Sequence, residues 1–128
     1  MSASRLARLL PIMSAQRDMA QQRMAEILAR EAECASVLAD LDHEEARQAA
    51  ACQNDPGALD GLALWKIWVS GQRSRTNLRL ASLRAEREVQ MRKLAVMMGR
   101  FDVTELMVTK LLDDAKKQSQ RRLEEDGI

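Results

Sequence analysis

Apolar residues recur along the first part of the chain in alternating steps of four and three residues. This seam has fourteen positions, ten of them apolar, and its spacing is that of a heptad repeat on an α-helix. Its positions are Leu6, Leu10, Met13, Arg17, Ala20, Met24, Ile27, Glu31, Cys34, Leu38, Leu41, Glu45, Gln48 and Cys52. The charged members Arg17, Glu31 and Glu45 follow one another at intervals of fourteen residues. Polar seam residues lower stability but fix register, so the pattern predicts a long helix with a specified alignment.

A second seam of similar spacing occupies the rest of the chain. Its positions are Leu62, Trp65, Val69, Gln72, Thr76, Arg79, Leu83, Arg87, Gln90, Leu94, Met97, Phe101, Thr104, Val108, Leu111 and Ala115. It is weaker than the first seam, because polar residues interrupt it from Gln72 to Arg79. Both seams nevertheless indicate long amphipathic helices.

One firm break separates the two seams. Residues 53–57 read Gln-Asn-Asp-Pro-Gly, in which Asn54 can end a helix and Asp55 can cap the next one, with Pro56 at its first position. We therefore predict an all-α fold, a long antiparallel two-helix coiled-coil hairpin that forms a single unit over residues 1–128. Helix one should cover about 4–53, the turn about 54–60 and helix two about 61–125.

Composition and charge support this fold. Aromatic residues make up 2% of the chain and charged residues 30%, which is typical of long helices with a thin core. Residues 31–55 carry seven acids against one base, whereas residues 61–93 carry eight bases against two acids. In a hairpin these blocks lie side by side and help to specify the pairing. We expect Glu31 to face the region of Arg79 and Arg84.

Residues with catalytic or metal-binding chemistry are few and scattered. His43 is the only histidine, and its acidic surroundings favour a solvated helix face over a metal ligand or a pH sensor. Cys34 and Cys52 would lie about 27 Å apart on one helix, too far for a disulfide, so both should fill the seam as small hydrophobic residues. Without a phosphate-binding loop or a nucleophile beside a base, we predict no enzymatic activity, no metal and no cofactor.

The sequence argues against a nucleic-acid partner and against a targeting segment. The basic residues between 66 and 93 would face the acidic block of helix one and have no stacking aromatic cluster beside them, so we expect no nucleic-acid partner. Residues 1–17 carry three arginines and no acid, but their apolar spacing continues into the helix, which argues against a transit peptide. We expect a cytoplasmic protein, free or peripheral at the inner face of the membrane, without direct membrane insertion.

A second stripe runs beside the seam of helix two. Its positions are Leu64, Trp68, Gly71, Arg75, Leu78 and Ser82. A hairpin this thin cannot bury every side of a helix, and exposed aromatic patches mark partner sites. We therefore predict that Leu64, Trp68, Arg75 and Leu78 bind a partner while Trp65 serves the seam. Dimerisation into a four-helix bundle would bury the same residues, and this alternative stays open.

The run Leu64-Trp65-Lys66-Ile67-Trp68 after the break resembles the aromatic-rich start of helix two in the FliJ/YscO-type central stalk proteins of type III secretion. The charged stretch from Lys116 to Asp126 is similar to the tail of the same family. The resemblance covers most of the chain, chiefly through its architecture. Family members often have an aromatic or aliphatic residue where this chain has Gly71.

The resemblance implies a stalk that assists protein export in a flagellar or injectisome system. The paired chain ends, Leu6–Met13 and Leu106–Leu123, would enter the export ATPase hexamer. The turn would face the export gate protein, and secretion chaperones would dock along the hairpin. The alternative function is that of a generic coiled-coil adaptor or a homodimeric scaffold.

Overall fold

The computed structural model describes residues 2–53 and 55–127 and contains two long helices joined by a short turn. Helix α1 spans Ala3–Cys52, a 3-10 turn spans Pro56–Ala58, and helix α2 spans Leu59–Asp126. The described residues contain no strand, and the two helices pack against each other. The predicted fold class, an all-α helical hairpin, is thereby confirmed.

The chemistry of the sequence explains the length of each helix. Helix α1 is rich in alanine and contains no glycine, and its single proline, Pro11, lies within the helix. A proline inside a helix removes one backbone hydrogen bond and crowds the carbonyl four residues earlier. The helix nevertheless continues on both sides of Pro11. The pairs of oppositely charged residues along both helices favour solvent exposure of the faces that do not pack.

Asp55 organises the turn between the helices. Its Oδ1 atom accepts a hydrogen bond from the Gly57 N–H at 3.1 Å, and its carbonyl accepts one from the Ala58 N–H at 3.1 Å. These bonds satisfy amide groups that have no partner at the start of a helical segment. Asp55 therefore caps the 3-10 turn, and α2 begins just after it at Leu59. The predicted role of Asn54 lies outside the described residues.

The hairpin divides into two compact units. The end unit combines Met1–Arg23 with Gln90–Ile128, and the turn unit covers Met24–Val89. In the end unit the buried side chains are Leu6, Ala20 and Val108. All are seam residues, so this unit is held by the stripe that the spacing predicts.

The core of the turn unit contains Cys34, Leu80 and Leu83, with Leu38 packed against them. Ile27 and Val69 are also buried, and Val69 is only 1% exposed. Arg79, which the spacing assigned to the seam, is exposed, and its neighbour Leu80 is buried in its place.

The α2 seam therefore runs from Gln72 through Thr76 and Leu80 to Leu83. Two four-residue steps, from Gln72 to Thr76 and from Thr76 to Leu80, follow one another in this seam. This is a stutter, which lets a helix keep its apolar side inward where the heptad would bring in a charge. Ala115 is also exposed, contrary to the second seam, and no described residue after Leu111 is buried or half-buried.

The three charged seam residues of α1, Arg17, Glu31 and Glu45, each meet a residue of α2. In the end unit, the Arg17 guanidinium carbon lies 4.6 Å from the centroid of the Phe101 ring. In the turn unit, Arg87 Nη1 lies 3.4 Å from Glu31 Oε2, and Arg73 pairs with Glu45. The partners on α2 also recur every fourteen residues. The structure thus contains three polar layers that specify which residues of the helices face each other.

The layer at Glu31 corrects one expectation from the charge blocks. Glu31 faces Arg87 and not the region of Arg79 and Arg84, so α2 is displaced by roughly one to two helical turns from the predicted pairing. Arg73 pairs with two acids, since it also reaches Asp42 Oδ1 at 2.6 Å. Its hydrogen bonds to Glu45 and then Asp42 raise the pKa of Arg73 above its usual value.

Candidate protein-binding surface

The predicted stripe on α2 lies on the surface of the turn unit. Leu64 is 71% exposed, Trp68 is 53% exposed and Leu78 is 73% exposed. Arg75 and Ser82 are exposed as well, and Gly71 is half-buried. Steps of four and three residues keep these side chains on one side of the helix. We call this set, together with Ile67, the outer stripe.

The two tryptophans occupy different environments although they are one turn apart. Trp65 is half-buried, and Val69, one turn further on, is the most deeply buried side chain of the described residues. Trp68 precedes Val69 by one residue and is therefore rotated about 100° around the helix axis. This rotation turns the indole ring out of the seam and leaves about half of it in water.

Arg75 gives the outer stripe its polar component. Its Nε donates a hydrogen bond to the Gly71 carbonyl at 3.3 Å, so the side chain folds back along the helix surface. A Cβ at Gly71 would lie 3.5 Å from Arg75 Nη2, which is ordinary van der Waals contact. Gly71 thus leaves room above the backbone that the guanidinium partly covers. An apolar ring and a nearby guanidinium are the side chains most often found at binding hot spots.

Ile67 was not among the predicted site residues, yet it is 71% exposed and lies next to Trp68. Its spacing of three residues from Leu64 is the signal that places it on the same side of the helix. The outer stripe therefore presents a wider apolar surface than the predicted set alone. Such a surface in water favours contact with another apolar surface.

The residues with potential chemistry lie apart from this stripe. His43 is exposed on α1, Cys34 is buried in the core, and the half-buried Cys52 points its Sγ toward the Ala58 carbonyl at 3.9 Å. Both cysteines are free thiols. Among the described residues, no group of three or more His, Cys, Asp or Glu side chains could hold a metal ion.

Over the described part of the chain, neither helix has a stretch apolar and long enough to cross a bilayer. The seams are interrupted too often by charged residues for that purpose.

No protein-family model matches the chain, and no curated protein or solved structure is significantly similar to it.

Proposed function

We propose that the chain is a non-enzymatic helical stalk that binds the export ATPase ring and the export gate of a type III secretion system and assists protein export. The observation that carries this proposal is the outer stripe, an apolar surface with a central tryptophan on the exposed side of a helical hairpin. Leu64, Ile67 and Trp68 of the FliJ/YscO-like run belong to that stripe.

In this proposal the outer stripe contacts the export gate protein. Trp68 and Leu78 would enter apolar pockets of the partner, and Arg75 would pair with a carboxylate at the rim. Water would leave the exposed part of the indole ring, which is the contribution that makes tryptophan a frequent hot spot.

The chain ends would bind the ATPase hexamer. In the end unit, Ile12 is 58% exposed, Leu106 is 71% exposed and Leu123 is 72% exposed, and charged residues surround them on both helices. A single asymmetric stalk inside a ring needs many weak contacts rather than one tight pocket. Secretion chaperones would dock along the helices, and the protein would work in the cytoplasm beside the inner face of the membrane.

Substitution of the two tryptophans tests the proposal. Trp68→Ala should keep the helical circular dichroism and nearly the same melting temperature, because this ring contributes less to the seam than Trp65 does. It should weaken binding to the purified cytoplasmic domain of the export gate protein about thirtyfold, as expected for a hot spot of about 2 kcal/mol. Trp65→Ala should instead lower the melting temperature first, because its ring is half-buried.

Val37→Ala supplies the matched control. Val37 is 44% exposed on α1 and lies outside the outer stripe, so its loss should change neither melting nor binding. If Trp68→Ala unfolds the hairpin as readily as Trp65→Ala, the ring belongs to the core. If Trp68→Ala folds and binds as the unchanged protein does, the outer stripe is not the gate-binding surface.

A homodimeric scaffold is the second candidate, and the same exposed stripe favours it. Two copies could bury Leu64, Ile67 and Trp68 against each other and form a four-helix bundle. Light scattering after size-exclusion chromatography distinguishes the two functions. A dimer that Trp68→Ala converts into a monomer supports the scaffold, whereas a monomer that binds the gate domain supports the stalk.

A further inference from the structure

A groove runs along one side of the end unit, apart from the outer stripe. It consists of three adjoining recesses between or beside the helices. In order along α2, the first recess begins at Gln90, the second lies around Val96 and the third ends at Thr104. Lys93 and Met97 line both the first and the second recess, and Arg100 lines both the second and the third. The groove therefore continues along α2 from Gln90 to Thr104, which corresponds to about 21 Å of helix. We call it the basic groove.

The floor of the basic groove is apolar and exposed to solvent. Met19 is 72% exposed, Val96 51%, Val103 56% and Leu9 41%, and Met97 is half-buried between them. Methionine side chains adapt to the shape of whatever packs on them, which suits a surface that receives an apolar helix face. At Gly99 an added Cβ would meet nothing within 4 Å, so the third recess is open from above.

Basic side chains line the apolar floor. Residues 1–23 and 90–104 together carry seven Lys or Arg and two acids, Asp18 and Asp102. Within the described residues, Arg23, Lys93 and Arg100 take part in no ion pair. The charges of Arg23, Lys93 and Arg100 are therefore not balanced by an ion pair within the described residues.

The turn unit provides a contrast, because two of its bases meet acids across the helices. Arg73 reaches Asp42 and Glu45, and Arg87 lies beside Glu31. Complementary charge from outside is the simplest way to balance the groove of the end unit, since a binding partner of opposite sign is both attracted and oriented by such a field.

We propose that the basic groove binds an acidic amphipathic helix of a partner protein. A helix of about fourteen residues matches the length of the groove. Its apolar side would cover Met19, Val96 and Met97, and glutamate or aspartate side chains on its flanks would pair with Lys93 and Arg100. This is the helix-in-groove mode of recognition, with anchors at helical spacing.

Two other occupants fit the observations less well. A nucleic acid needs phosphate contacts and aromatic stacking rather than an apolar floor, and Phe101 in this unit is already half-buried beneath Arg17. A second copy of the chain would have to offer its acidic segment, but Glu31, Asp42 and Glu45 in that segment already pair with α2 of their own chain. Leu9 and Met13 of the groove also lie in the Leu6–Met13 segment proposed to enter the ATPase hexamer. The proposal does not depend on the export function, because Lys93, Val96 and Arg100, which carry it, lie outside the segments given to the ATPase and the gate.

The proposal is tested with a fluorescein-labelled synthetic peptide of about eighteen residues that forms a helix with leucine on one side and glutamate on its flanks. Fluorescence anisotropy should show binding to the full chain that weakens as sodium chloride rises from about 50 to about 300 mM. The double variant K93E/R100E should weaken binding about tenfold or more. Its matched control K116E/K117E makes the same change in net charge on an exposed part of α2 outside the groove and should bind as the unchanged chain does.

The apolar floor is tested separately from the charge. Val96→Ser should weaken binding several-fold, whereas Leu112→Ser, 56% exposed and outside the groove, should not. A peptide with serine in place of leucine should bind about tenfold less tightly. Equal binding of both peptides, or an equal loss with K116E/K117E, would reduce the groove to general charge attraction and overturn the proposal. Tighter binding of a DNA or RNA duplex than of the peptide, or a homodimer lost in K93E/R100E, would assign the groove to those occupants instead.

Discussion

Replacing Glu31 with leucine should stabilise the hairpin, although it removes an ion pair. The Glu31 side chain is only 13% exposed, and its Oε2 lies 3.4 Å from Arg87 Nη1. In the part of the chain that the structure describes, the buried Oε1 atom has no hydrogen-bond partner. The carboxylate therefore gives up most of its hydration in the seam and recovers only part of it through one long contact.

The expected gain follows from three contributions. A leucine side chain buried in the seam stabilises by about 1.5–3 kcal/mol relative to an exposed one. Removing a buried polar atom without a partner relieves about 1–3 kcal/mol. Losing a pair whose base, Arg87, stays 40% exposed and can turn to water costs about 0.2–1 kcal/mol. Because helix propensity is similar for glutamate and leucine, the net effect is about 2 kcal/mol or more in favour of the variant.

Urea denaturation followed by circular dichroism measures this change as a shift of the midpoint at constant slope. Glu33→Leu, at an exposed position two residues away, is the control. Its free energy of unfolding should stay within about 0.5 kcal/mol of that of the unchanged protein. A loss of stability in Glu31→Leu would mean that the contact with Arg87 is worth more than its geometry indicates. Light scattering on the same samples would reveal whether the apolar layer also permits other pairings.

Two further predictions concern the packing of α2. Leu80→Ala should lower the free energy of unfolding, measured by urea denaturation, by about 2–4 kcal/mol because Leu80 is buried beside Cys34. Arg79→Ala should change it by less than about 0.5 kcal/mol. Equal effects of the two changes would contradict the stutter. Arg73→Glu should lower the melting temperature in dilute buffer by placing like charges beside Asp42 and Glu45, and added salt should narrow the difference. Lys66→Glu, an exposed change of equal charge, should have little effect, and a salt-independent loss for Arg73→Glu would point to packing instead of charge.

The fold was predictable because its main signal is periodic. All fourteen positions of the first seam, from Leu6 to Cys52, are buried or half-buried in the structure. A regular heptad over this length leaves few alternatives, and the proline–glycine break offers the chain one place to reverse direction. Helix class and hairpin topology thus follow from spacing alone.

The register was less predictable. The heptad placed Arg79 inward, but the energetic difference between burying an arginine and burying Leu80 outweighs regular spacing, so the seam shifts by one residue. A shift of this kind also decides which base meets Glu31. Predicting it requires comparing the packing of both helices together, which a single-helix pattern does not contain.

The exposed tryptophan was predictable for the same geometric reason as the seam. Once Val69 is buried, Trp68 must turn aside, and its exposure follows from helix geometry. The basic groove was not predicted, because its residues come from both helices and only the pairing brings Met19 beside Met97. Its one sequence signal is the seven-residue interval between Val96 and Val103, which lie outside the seam.

The thin core and the exposed apolar surfaces have a common physical cause. Two helices can bury only one stripe each, and among the described residues Val69 alone is almost fully buried. Polar layers at Arg17, Glu31 and Glu45 remove further apolar contacts from that stripe in exchange for alignment. A partner at a hundred times its dissociation constant would add about 2.7 kcal/mol to such a fold. Binding at the outer stripe or at the basic groove would therefore raise the stability of the hairpin, and this linkage makes a rise in melting temperature a direct assay for either partner.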